Sequence, residues 1–141
     1  MKKRAVISIL SNQLEDENSE IEVVTPGEFT VCDDGFKAVY QETEISGMEG
    51  TMTRLLINDN SVSLEREGTT TSKMYFEKDK SDVSLYDTPY GTLELKIKTN
   101  ELKIDMNEDG GDVFIDYKMT IGDQSIQNTK LKINIKSENI N

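Results

Sequence analysis

The chain has 141 residues, the length of a single domain able to bury a real core without disulfide staples. Its 27 acidic against 16 basic side chains leave a formal charge of −11, which argues against nucleic acid and anionic membrane surfaces as partners, because both reward clustered Lys and Arg. The sequence contains no histidine, which removes the Ser-His-Asp triad, the Cys-His pair and the imidazole zinc site.

The basic start Met1-Lys2-Lys3-Arg4 is followed by an apolar stretch from Ala5 to Leu10 that is interrupted by Ser8, too short for an export signal. From Lys3 to Glu15 the apolar residues fall on both parities, which predicts a strand partly covered on each face. Glu15 to Ser19 is a polar, acidic loop. Ile21 to Thr25 and Glu28 to Cys32 are β-forming runs separated by Pro26-Gly27, a dipeptide that predicts a bend or bulge. Asp33-Asp34-Gly35 signals a hairpin leading into Phe36 to Glu44. Thr51 to Ile57 and Ser61 to Glu67 form a second hairpin around Asn58-Asp59-Asn60.

Beyond the connection from Gly68 to Ser72, Met74 and Phe76 share one face of the run Lys73 to Lys78, and Asp79 to Asp82 is a charged turn. Thr88-Pro89-Tyr90-Gly91 has proline and glycine at the second and fourth positions, as a type I turn favours. After it Leu93, Leu95, Ile97 and Thr99 alternate with Glu94, Lys96 and Lys98, the clearest strand pattern in the chain. Leu102 to Met106, Val113 to Ile121 and Leu131 to Ile135 alternate in the same way, and Ser137 to Asn141 reads as a tail.

About nine or ten short-looped strands with no helical periodicity predict an all-β fold in one domain, residues 1–141. A closed antiparallel up-and-down barrel suits so many strands, since closure removes sticky edges. The lone Cys32 excludes an internal disulfide and reads as a small buried hydrophobe, which fits a cytoplasmic protein.

Several fragments in order carry a resemblance: Tyr40-Gln41-Glu42-Thr43-Glu44, Leu64-Glu65-Arg66-Glu67-Gly68, Met74-Tyr75-Phe76, Tyr86-Asp87-Thr88-Pro89-Tyr90-Gly91 and Ile115-Asp116-Tyr117. Together they resemble the YwiB-like family of small bacterial proteins of unknown function. The resemblance implies a calycin-type barrel similar to lipocalins, and no activity. Gln41 stands where that family's pattern leads one to expect glutamate, so no carboxylate role is carried over to that position.

Arg66 shares its parity with Val62 and Leu64, so a barrel would turn its guanidinium inward. An inward arginine needs a partner, and Tyr40, Glu42 and Glu44 share a parity nearby. One reading pairs Arg66 with Glu42 as a structural ion pair. Another has Arg66 with Tyr40 hold the carboxylate or phosphate of a ligand, the task for which arginine's planar fork is suited. A third lets Arg66 reach solvent at the barrel mouth. Asp105, Asn107 and Asp109, with Gly110, match the first half of a calcium loop, but Asp112 and Asp116 depart from its second half, and an acidic hairpin is the preferred reading. No catalytic residue and no cofactor is expected. The functional reading is a non-catalytic binder of a small, partly apolar or anionic molecule, the alternative being a solidly packed interaction or self-association module.

Overall fold

In a computed structural model the described residues are 2–13, 21–42, 49–68, 71–88, 91–122 and 127–138. Ten strands follow in chain order: β1 (Lys2–Gln13), β2 (Ile21–Cys32), β3 (Gly35–Gln41), β4 (Thr51–Ile57), β5 (Ser61–Gly68), β6 (Ser72–Glu77), β7 (Ser81–Thr88), β8 (Gly91–Asn107), β9 (Gly110–Ile121) and β10 (Gln127–Ser137). Sequence neighbours other than β6 and β7 pair antiparallel, β1 pairs with β10, and the spatial order is β6-β5-β4-β3-β2-β1-β10-β9-β8-β7. The expected up-and-down barrel is therefore present and nearly closed, with one seam where β6 and β7 meet without a ladder. The Ser84 hydroxyl donates to the Lys73 carbonyl across this seam at 2.6 Å. At its foot the Asp79 N–H donates to the Thr99 carbonyl, and the Thr99 N–H to the Lys80 carbonyl.

Period-two alternation separates wall from core. Leu131, Ile133 and Ile135 of β10 are buried while Lys132, Asn134 and Lys136 between them are exposed. The short turns at 33–34, 58–60, 78–80 and 108–109 lie at one end, as alternate connections of an up-and-down barrel must. That end is filled: Phe29, Ile57, Val62 and Phe76 are fully buried, and Phe29 stacks on Phe36 with ring centroids 5.7 Å apart.

Several local expectations are corrected. Pro26-Gly27 does not break the chain into two strands, because β2 runs through it. Among the described residues the β2–β3 ladder begins at Gly27 and the first half of β2 pairs with β1 alone, so the missing N–H of Pro26 costs no bond to β3. Leu93 to Thr99 and Leu102 to Met106 belong to one strand, with a bulge between Thr99 and Glu101. The extra residue flips the parity, which returns Leu102, Ile104 and Met106 to the inner face after odd-numbered Leu95 and Ile97.

Cys32 is exposed rather than buried, because it ends β2 on the parity opposite Phe29 and Val31. Val83 and Leu85 also face outward, opposite Lys96 and Glu94. Ser137 is not loose: its N–H and hydroxyl both donate to the Asp109 carbonyl, and the Glu138 N–H donates to the Arg4 carbonyl. Leu14 and the loop to Ser19, Glu44, the turn residues Pro89 and Tyr90, and 139–141 lie outside the described residues.

Gly27 takes the inward position opposite Tyr40. A Cβ there would come within 2.5 Å of Ile7 Cδ1 and 2.6 Å of the Val39 carbonyl oxygen. The Ile7 tip can move, but the β3 backbone cannot do so without disturbing Tyr40. Gly27→Ala should cost about 1–3 kcal/mol, the usual penalty for overpacking, read as a lower urea midpoint with an unchanged slope. An unchanged midpoint would mean that β3 is free to shift.

Candidate functional site

The inner wall carries a polar row that crosses four strands. Tyr40 of β3 faces Thr53 of β4, Thr53 faces Arg66 of β5, and Arg66 faces Ser72 of β6. Glu42 follows Tyr40 by two residues, so it shares the inward face, and its N–H donates to the Thr51 carbonyl at 2.8 Å. Antiparallel pairing thus gathers residues from distant parts of the chain near the end opposite the short turns.

Glu42 is the centre of this group, its side chain only 3% exposed. The Thr53 hydroxyl donates to its Oε1 at 2.5 Å, and the Tyr40 hydroxyl donates to the same carboxylate. Arg66 Nε lies 3.8 Å from Glu42 Oε1, an ion pair with no hydrogen bond between the two atoms. Arg66 Nη1 makes a weak contact with Met74 Sδ, also at 3.8 Å. Among the described residues Arg66 Nε and the Ser72 hydroxyl are buried and have no hydrogen-bond partner. Burial raises the pKa of the Tyr40 hydroxyl well above its ordinary value, the Glu42 charge raises it further, and Arg66 partly offsets both. Tyr117 of β9 is likewise raised by burial, against the opposing influence of Arg66 and a hydrogen bond with Thr129.

Ser72 lines a cleft on the outer side with Arg66, whereas Tyr40, Glu42, Arg66 and Tyr117 border an interior cavity of about 250 Å³. Tyr40, Glu42, Arg66, Tyr117 and Ser11 supply its polar lining, and Ile9, Val23, Leu64, Met74, Leu95, Met119, Ile121 and Leu131 most of its apolar wall. Its floor is Tyr117, tilted against Phe76 at 4.8 Å. A larger concavity, about 710 Å³, lies on the outer surface and is edged by Lys103, Asp105, Asp112, Lys132 and Asn134. Those side chains are exposed, so their charges are screened by water. The smaller interior cavity, with its buried ion pair, is the better candidate.

The structure brings the three residues singled out from sequence, Arg66, Tyr40 and Glu42, to this one cavity, with Arg66 and Glu42 paired. The acidic hairpin is elsewhere. Asp105 faces Asp112 across β8 and β9, the Asp109 N–H donates to Asn107 Oδ1, and Asp109 Oδ1 is 3.9 Å from Lys3 Nζ. No group of three or more His, Cys, Asp or Glu side chains arranged to hold a metal ion occurs among the described residues. Sequence reasoning missed Thr53 and Ser72. The available signal was parity, since each interrupts an inward face otherwise occupied by Leu55 and Ile57 or by Met74 and Phe76.

Residues 7–133 match the model of a family described as a domain of unknown function, DUF1934. The chain belongs to that family. The uncharacterized β-barrel protein YwiB of Bacillus subtilis is 27% identical over 127 residues, 88% of each chain. The crystal structure of the ywiB protein from Bacillus subtilis superposes with a TM-score of 0.86 at 22% identity, covering 98% of this chain and 94% of that one. The YwiB-like resemblance read from the ordered fragments is thereby borne out, as is the barrel. At that identity the structural likeness shows the fold alone, and the DUF1934 family carries no assigned activity.

Arg66→Met should destabilise the protein by about 1–3 kcal/mol, because it strands a buried carboxylate; the partial exposure of Arg66 places this below the full penalty for breaking a buried pair. Adding Glu42→Gln should recover part of that loss in a double-mutant cycle from urea denaturation. Strictly additive losses would show that the pair is not energetically coupled. Tyr40 and Tyr117 have pKa values raised above those of the unfolded chain, so their contribution is complete below pH about 10 and is lost as pH rises beyond it. Ultraviolet difference titration should show at least two tyrosines that ionise only above the ordinary range, with thermal stability falling over the same interval.

Proposed function

We propose that the protein is a non-catalytic binder of a small molecule, holding a carboxylate or phosphate at Arg66 and an apolar body in the interior cavity. The observation that carries this reading is the Arg66 guanidinium at the edge of an apolar cavity, its buried Nε without a hydrogen-bond partner among the described residues and its Nη1 in a weak contact with the Met74 sulfur. An acceptor-rich group would satisfy these donors, where leaving a buried donor unpaired costs about 1–3 kcal/mol. The rest of the lining is hydrocarbon with few polar groups, the usual make-up of a ligand site. At about 250 Å³ the space is close to the lower limit of such sites, which favours a ligand of few atoms.

The non-catalytic reading rests on the same groups. Tyr40 and Tyr117 are held protonated far above neutral pH, so neither is suited to act as a base there. Glu42 is occupied by Thr53, Tyr40 and Arg66. The packed interaction module is the weaker alternative, because a solid barrel would leave no interior space. The net charge and the single cysteine, Cys32, favour a cytoplasmic protein without nucleic-acid or membrane partners.

Native mass spectrometry of the purified chain, beside the same sample denatured, should show excess mass that disappears on unfolding and is lost in Arg66→Met. Retention of that mass by Arg66→Met would move the site away from Arg66, and a clean unliganded dimer would favour the interaction module.

A further inference from the structure

We infer that the ligand is a small monocarboxylic acid, and that it is bound together with a proton shared between its carboxyl group and Glu42. This deepens the reading above and rests on it.

The inference begins with the charges around the cavity. Among the described residues lining it, Arg66 is the cation and Glu42 the anion. The remaining titratable groups there are Tyr40 of β3 and Tyr117 of β9, both kept neutral. β1 and β2 contribute Ser11 and Val23, β4 places the Thr53 hydroxyl on Glu42, and β6, β8 and β10 contribute Met74, Leu95 and Leu131. The pair is therefore electrically balanced before any ligand arrives. A ligand carboxylate on Arg66 makes two anions for one guanidinium. Glu42 is too deeply buried for water to stabilise the excess charge. Two carboxyl groups in such a setting hold one proton between them, since both cannot ionise close together out of water.

Geometry supports the same arrangement. Glu42 approaches the guanidinium at Nε, whereas among the described residues the Nη1 side meets the Met74 sulfur. A second carboxyl group can occupy the Nη edge without displacing Glu42, which sets the two acids around one planar cation. A phosphate monoester would bring nearly a second negative charge into a site that has no second cation among the described residues, so a monoanion is the better match. The cavity volume corresponds to about eight waters at about 30 Å³ each, room for an acid of six or seven carbons. The balance is simple: carboxylate and one proton enter, the two carboxyl groups with their shared proton carry one negative charge against the one positive charge of Arg66, and both leave on dissociation.

Isothermal titration calorimetry of the full chain with hexanoate tests this, run near neutral pH in two buffers of different ionisation enthalpy and repeated across pH. The expected result is uptake of about one proton per hexanoate, with affinity weakening by up to tenfold per pH unit as pH rises. Glu42→Gln should abolish both the uptake and the pH dependence and tighten binding at neutral pH. The wild-type buffer comparison carries the test even if that variant does not fold. Hexanoate binding without proton exchange would overturn the shared proton while leaving the binding reading intact. Absence of binding at millimolar hexanoate, or unchanged binding in Arg66→Met, would overturn the carboxylate site itself.

Discussion

A guanidinium carried on the inward face of a closing sheet has little choice of surroundings, and the polar part of this barrel is arranged around that constraint. Arg66 sits on the same face of β5 as Val62 and Leu64, which belong to the hydrophobic core. Its charge is tolerable because β3 and β4 bring Glu42, Tyr40 and Thr53 to the same level of the wall. Had the register of β4 against β5 slipped by one residue, Thr53 would face outward and the whole apolar set of the strand would go with it. The hydrophobic pattern thus fixes the register, and the register delivers the polar cluster.

The two ends of the interior differ accordingly. Toward the short turns the space is filled by Phe29, Ile57, Val62 and Phe76, and here the barrel behaves as an ordinary close-packed core. Toward the other end the packing gives way to a cavity bounded by the ion pair. The outward charges do not take part: Arg54, Glu65 and Lys73 form a surface chain with separations of 3.4 and 3.7 Å, a kind of contact that contributes little to stability. The charge that matters to the interior is a single pair in a molecule of net −11.

Much of this was legible from the residues. Strict alternation in Leu131 to Lys136 and in Val113 to Tyr117 is enough to orient β10 and β9, and parity alone aimed Arg66 inward. What was not legible depended on pairing. Pro26 is harmless because β3 has not yet joined β2 at that level, a fact of register that no local signal contains. The bulge between Thr99 and Glu101 made one strand read as two, since the inward parity changes from odd to even across it. Cys32 was misjudged on residue type, when its position in the alternation of β2 already placed it opposite Phe29 and Val31. Thr53 and Ser72 were overlooked because a short hydroxyl side chain on an inward face looks like a weak core residue until its cross-strand neighbour is known.

The seam between β6 and β7 gives the wall one line of different mechanical character. Between the other neighbouring strands, widening the barrel means breaking a ladder of backbone hydrogen bonds that must be broken together, although the β2–β3 ladder covers only the half from Gly27 onward. Across the seam the Ser84 hydroxyl reaches the Lys73 carbonyl, and at the foot the β6–β7 turn is held to β8 through Thr99, so the wall is braced by backbone bonds at its base and by a side chain above it. Arg66 borders both the interior cavity and the outer cleft beside this seam, the latter also lined by Ser72 and Leu85. The wall is therefore least constrained by backbone bonds at the level of the ion pair and most constrained by close packing at the filled end.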